Sequence, residues 1–299
     1  MRLQLKGFFE KESIGIKFII IVGILVFFAV LFLFISDALL SLLAITDEVQ
    51  TLKFTQLVSG IGLFICGSFA LAYLLSQNIR SFLSFRKTQV IVLVLAMLSV
   101  FVVIPFINFL AELNNQITFP EAFRALEETL RAYEDKLAGL TESLLLSDRS
   151  LSGLFLNLLI IAAVPALGEE LLFRGVIQNS LARSLNNEVW AVWITAFLFS
   201  AIHFQFYGFI PRMLLGAYFG YLLIWSRSIW VPVAAHFMNN ATIVVFYYFM
   251  KKDPATFDIE TVGTDGALSW AIGSIVLFSV LAVALRKRTI DNQCVNSHS

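Results

Sequence analysis

Four residues in the second half of the chain carry groups suited to moving protons and donating hydrogen bonds. They are Glu169 in "GEELLFRG", His203 in "FSAIHF", and His236 and Asn240 in "HFMNN". A carboxyl, two imidazoles and an amide form a set that can exchange protons and stabilise developing charge. A carboxyl with two imidazoles is also a zinc ligand set with one open position. All four residues interrupt strongly apolar runs. A charge at the centre of a membrane helix costs roughly 2.5–3.5 kcal/mol on insertion scales, so each such group needs a reason. Glu170 and Arg174 are four residues apart, which puts them on one helix face where they neutralise each other. Glu169 lies about 100° further round and has no partner nearby in sequence. It is either protonated or answers to groups on other helices. The plain alternative is that these charges only pack a bundle, and that each histidine is a satisfied core residue.

The elements that must position these groups follow from composition. Only 14% of residues are charged, against about 25% in soluble domains, and mean hydropathy is +0.84. The formal net charge is zero, which gives no reason to expect nucleic acid as a partner. Cys66 and Cys294 make neither a disulfide framework nor a metal motif. Apolar runs of membrane-spanning length begin near Phe18, Phe54, Thr88, Leu151, Val189, Met213, Ile229 and Ala267. The run from Phe18 to Ser36 is longer than a signal-peptide core and has no convincing cleavage site, so it reads as a retained first span. The expected fold is all-α, a polytopic membrane helix bundle of about eight transmembrane helices.

Four regions are expected. Residues 1–111 hold the N-terminal transmembrane helices, and residues 112–150 form an extramembrane amphipathic helical loop. Residues 151–250 form the polar-motif core, and residues 251–299 hold the last span and a polar tail. In the loop, Phe119, Phe123, Leu126, Leu130, Tyr133, Leu137 and Leu140 recur at helical spacing, with Pro120 and Glu121 suited to a first turn. Basic residues set the orientation. Arg2, Lys6, Lys11, Lys17, Arg80, Arg86, Lys87, Arg183, Arg227, Arg286, Lys287 and Arg288 fall on one side, and Lys53, Lys251 and Lys252 on the other. Both termini are therefore expected in the cytoplasm, with the chain integral to a cell membrane.

At about 1.5 Å per residue, Glu169 lies roughly 20 Å above Arg183, and His203 a similar distance above Glu188. His236 and Asn240 lie roughly 13 and 20 Å above Arg227, so four groups from three helices share one layer. Pro165 and Pro232 each stand four residues before a polar group, Glu169 and His236. Each is expected to bend its helix there.

"EELLFR" fits EExxxR, "FSAIH" fits FxxxH, and "HFMNN" fits HxxxN. In order and spacing these resemble the CAAX protease and bacteriocin-processing family of intramembrane endopeptidases, which includes the type II CAAX prenyl endopeptidase. The match covers about Leu151 to Phe249. The resemblance implies that Glu169 and His203 activate a water, that His236 and Asn240 stabilise the oxyanion, and that Glu170 and Arg174 support them. It implies a membrane-associated protein or peptide as substrate. The chemistry agrees, because peptide hydrolysis needs a base, an acid for the leaving amine and donors for the oxyanion. No HExxH pair, no GxSxG elbow and no cysteine beside a histidine offers another peptidase chemistry. A metal-free site is favoured, since Asn240 is a poor zinc ligand and a good oxyanion donor. The alternative is a zinc site of Glu169, His203 and His236. A transporter is the rival from another class, although no inverted repeat is seen. A non-catalytic scaffold or immunity-type protein is the third reading.

Overall fold

The computed structural model describes residues 5–250, 262–264 and 268–297. Arg2, Lys251 and Lys252, used above for orientation, lie outside the described residues. Among the described residues every regular element is helical. The main elements are α1 (Ile14–Leu42), α2 (Glu48–Leu75), α3 (Val90–Val102), α4 (Ile104–Asn115), α5 (Arg124–Leu146), α6 (Leu151–Leu185), α7 (Glu188–Ala201), α8 (Phe209–Ser226), α9 (Trp230–Met250) and α10 (Leu268–Ser297). Each of the eight apolar runs falls on one of these helices or on the bent pair α3–α4.

By length and composition, fewer than eight helices among the described residues qualify as spans. Five helices, α1, α2, α6, α8 and α10, are long and apolar enough to cross a membrane, and α3 with α4 makes a sixth as one span bent by 42°. The helix α7 has 14 residues, about 21 Å of rise, and falls short of a hydrocarbon core of about 30 Å. The helix α9 is not among the five; it carries His236, Asn239 and Asn240 in its middle. The chain is an integral membrane protein built as an all-α bundle.

Local sequence sets the helix ends. Ser13, Asp47, Ser150 and Asn187 accept backbone N–H bonds from the first turns of α1, α2, α6 and α7. Asn186, in the left-handed region at φ 50°, stops α6, and Arg227 at φ 55° stops α8. Two side-chain ladders fix α6 against α8. Arg174 Nη2 donates to the Gly216 carbonyl at 2.7 Å, and Gln178 Nε2 donates to the Gly220 carbonyl at 3.1 Å. The glycines allow this approach: a Cβ at Gly220 would come within 2.8 Å of Gln178 Oε1. A Cβ at Gly168 would come within 2.7 Å of Phe64 Cβ, so that glycine lets α2 pack directly beside Glu169.

The α5 helix follows a single tight turn, Glu121–Phe123, with Pro120 just before it. Its docking face is more polar than its apolar spacing implied. Arg131 donates to Asn115 Oδ1 at 2.7 Å and to the Asn115 carbonyl at 3.1 Å, and pairs with Glu127 at 3.0 Å. Arg131 also lies over the Tyr207 ring at 3.9 Å, and Glu134 accepts from the Tyr207 amide at 3.0 Å. Phe123, Leu126 and Tyr133 stay exposed. The polar edge of α5 thus clamps the segment between α7 and α8.

Candidate active site

Glu170 and Arg174 meet as their spacing required, with Arg174 Nη1 2.9 Å from Glu170 Oε1 and both side chains fully buried. Glu170 does more than neutralise Arg174, because the same oxygen lies 2.8 Å from His236 Nδ1. A carboxylate only accepts, so Nδ1 carries the proton and Nε2 is the nitrogen left for chemistry. That nitrogen lies 3.9 Å from Glu169 Oε2, on a side chain that is 15% exposed. Glu169 therefore faces His236 on a neighbouring helix, as its lack of a local partner implied.

Aromatic rings fix the imidazole. Phe219 stacks on His236 with ring centroids 5.2 Å apart, and Phe199 meets it edge-on at 6.0 Å. The Arg174 guanidinium sits 4.8 Å from the Phe199 ring centre and 5.4 Å from that of Phe219. Such pairs contribute about 0.5–2 kcal/mol each, the upper end when desolvated, and they leave His236 little rotational freedom.

His203 joins the cluster differently from expectation. The α7 helix ends at Ala201, so His203 stands in the turn after it rather than inside a span. Its Nδ1 lies 2.7 Å from the Phe199 carbonyl. A carbonyl also only accepts, so His203 too is protonated at Nδ1 and presents Nε2. Phe199 bridges the two histidines, with His203 at a centroid distance of 5.1 Å. The charges of Arg212 and the ring of His236 both act on His203.

Asn240 is aimed by a missing backbone donor. Pro165 has no N–H to give to the carbonyl of Ile161, four residues earlier. That carbonyl instead accepts from Asn240 Nδ2 at 3.2 Å. Asn239 Nδ2 donates to Asn240 Oδ1 at 3.1 Å, which fixes which end of the amide is which. Pro165 thus acts through the hydrogen bond it withholds, next to a stretch of wider helical turns at Leu158–Ala163. Pro232 bends nothing: it lies in the first turn of α9, where a backbone N–H has no helical partner anyway.

Sequence reading passed over Arg212 and Asn239. Arg212 stands one residue before the point where a span seemed to begin, and its charge acts on Glu169. Its isolation inside "GFIPRMLLG" was the available signal. For zinc, the ligand set would be Glu169, His203 and His236. Among the described residues no three His, Cys, Asp or Glu side chains group closely enough to hold a metal ion.

A family model for type II CAAX prenyl endopeptidase Rce1-like proteins matches residues 151–242. The uncharacterized protein YpbD of Bacillus subtilis (strain 168) is 27% identical over 114 residues, which is 36% of this chain and 53% of the relative. The chain thus spans about half the length of the curated relative it matches. No solved structure matches.

Proposed function

We propose that this chain, whose residues 151–242 match a family model for type II CAAX prenyl endopeptidase Rce1-like proteins, is an intramembrane endopeptidase acting on a membrane-associated protein or peptide. The observation that carries the reading is Glu169 facing His236 Nε2 while Glu170 holds His236 Nδ1.

In this reading Glu169 and His203 Nε2 share the attacking water. One takes its proton as the oxygen bonds to the scissile carbonyl carbon, and the proton then passes to the leaving amine. His236 Nε2 and Asn240 Nδ2 donate to the oxyanion as it forms. Donation from Nε2 requires His236 to carry a second proton. The surroundings balance that charge: Glu169 and Glu170 supply two negatives, and Arg174 with protonated His236 two positives. Asn240 Nδ2 has two N–H groups, one spent on Ile161 and one available. No step uses a metal. A cell membrane, with both termini in the cytoplasm, is the proposed setting, which puts the site in the half of the bilayer nearer α5.

The test is comparative proteomics of membranes containing wild-type chain or Glu169→Gln at matched levels. Peptide ends present only with wild type are expected. Identical peptide inventories would remove the peptidase reading and favour a silent scaffold.

A further inference from the structure

Lys53 stands six residues after the Asp47 cap of α2, about 9 Å along the helix axis at about 1.5 Å per residue. It is only 7% exposed, yet no hydrogen bond and no ion pair joins it to another described residue. Asp148 acts on it through space alone. An ammonium carries three N–H donors and accepts nothing, so a buried one without a partner calls for an acceptor.

Lys53 lines a cavity of about 710 Å³ between the starts of α2 and α6, well away from the candidate active site, since none of Glu169, His203, His236 and Asn240 lines it. At about 30 Å³ per water this is space for roughly 24 waters, far more than a lone ion fills. Charge and apolarity are sorted along it. Asp47 and Asp148 form an exposed rim, the first capping α2 and the second two residues before the Ser150 cap of α6. Asp47 Oδ1 accepts from the Gln50 amide and Asp148 Oδ1 from the Ser150 amide, each at 2.8 Å. Those donors are neutral, so the rim carries two negative charges against the single positive charge of Lys53. Beyond the rim, Lys53 and Leu57 share one face of α2, and Leu156 and Ile160 share one face of α6. Both helices are long and apolar enough to cross a membrane, so the cavity runs from the headgroup level towards the hydrocarbon.

An occupant must bring an anion to Lys53, a cation to the two carboxylates and an apolar part to Leu57 and Ile160. We propose that the cavity is a binding site for a phospholipid with a phosphoethanolamine headgroup. Its phosphate bonds to Lys53 Nζ, its primary ammonium lies at Asp47 and Asp148, and its acyl chains run along Leu57, Leu156 and Ile160. A headgroup with only negative charge would set its phosphate near two unmatched carboxylates. A choline headgroup has the positive charge but no N–H for the carboxylates to accept. The order of charges therefore selects the headgroup, and the site is independent of the peptidase reading.

Native mass spectrometry of the full chain in detergent tests this, with dioleoyl lipids that differ only in headgroup added in turn. The first phosphatidylethanolamine is expected to bind tighter than phosphatidylcholine or phosphatidylglycerol by on the order of tenfold, the size of one charge-assisted bond. Lys53→Gln should remove most of that difference. Asp47→Asn combined with Asp148→Asn keeps the ammonium of Lys53 and should reverse the order, placing phosphatidylglycerol first. Equal binding of the three lipids by wild type, or tighter binding of either comparison lipid, would overturn the proposal whether or not the variants fold. A preference for phosphatidylethanolamine that survives both sets of substitutions would overturn it too. Glycerophosphoethanolamine binding as tightly as the lipid would assign the cavity to a soluble phosphodiester and overturn the lipid reading.

Discussion

Replacing Arg174 with alanine should destabilise the protein far more than neutralising Glu169. Arg174 and Glu170 are both fully buried, and the removal strands the Glu170 carboxylate with only His236 as partner. Breaking a buried pair by deleting one member costs about 3–5 kcal/mol. The lost bond to the Gly216 carbonyl adds less, since interhelical hydrogen bonds in membranes average about 0.6 kcal/mol. The ion pair therefore sets the size of the effect. At roughly 2–4 °C per kcal/mol, the melting temperature should fall by about 6–20 °C. Among the described residues Glu169 has one partner in ion-pair range, His236 at 3.9 Å and without a hydrogen bond, so Glu169→Gln should cost about 1 kcal/mol or less. Thermal unfolding of nanodisc-embedded protein, together with the yield of monodisperse material, measures both. A double-mutant cycle of Arg174→Met with Glu170→Gln should recover about 0.5–3 kcal/mol, because glutamine still accepts from His236 without a stranded charge. Equal melting temperatures for Arg174→Ala and Glu169→Gln, or a cycle with no coupling, would refute the reasoning.

Asn240→Ala should lower turnover by about two to three orders of magnitude with substrate binding largely intact, read from single-turnover rates and KM. Purified enzyme should keep its activity after exhaustive chelation; stoichiometric zinc whose removal and return track activity would make Glu169, His203 and His236 ligands. At the start of α5 the Phe119 amide bonded to Glu127, with Arg131 alongside, holds that carboxyl below its usual value. A lowered carboxyl stabilises above its ordinary value and loses that contribution as pH falls through the lowered one, so amide protection near Arg124 should drop in acid and Glu127→Gln should flatten the change. Protection that does not vary with pH would rule this out.

The paired charges on α6 were legible because helix angle can be counted along one apolar run. Glu169, Glu170 and Arg174 could be sorted by helix angle alone, and the structure puts each on the side assigned to it. What escaped depended on where helices stop or on groups that are absent. His203 was counted as part of a span, yet the chain turns two residues before it. Pro165 looked like a bend, while the Ile161 carbonyl to which it cannot donate accepts from Asn240, 75 residues after the proline. Arg212, one residue before an apolar run, was passed over, and the bond between Glu170 and His236 joins helices no local pattern relates. Of the eight apolar runs, five to six among the described residues lie on helices long and apolar enough to cross a membrane, and α7 at 14 residues is shorter than that.

The two ladders between α6 and α8 work as a register lock. The helices run in the same direction, with Arg174 opposite Gly216 and Gln178 opposite Gly220. A slip of one turn, about 5.4 Å, would face Gln178 with Ile224, or in the other sense face Arg174 with Arg212. One slip strands an amide against an aliphatic chain, and the other sets two guanidinium groups against each other. Neither offset is a usable resting state. The pair therefore forms a fixed rail through the bundle, and movement within the bundle must come from the elements around it, such as the segment between α7 and α8 that α5 clamps.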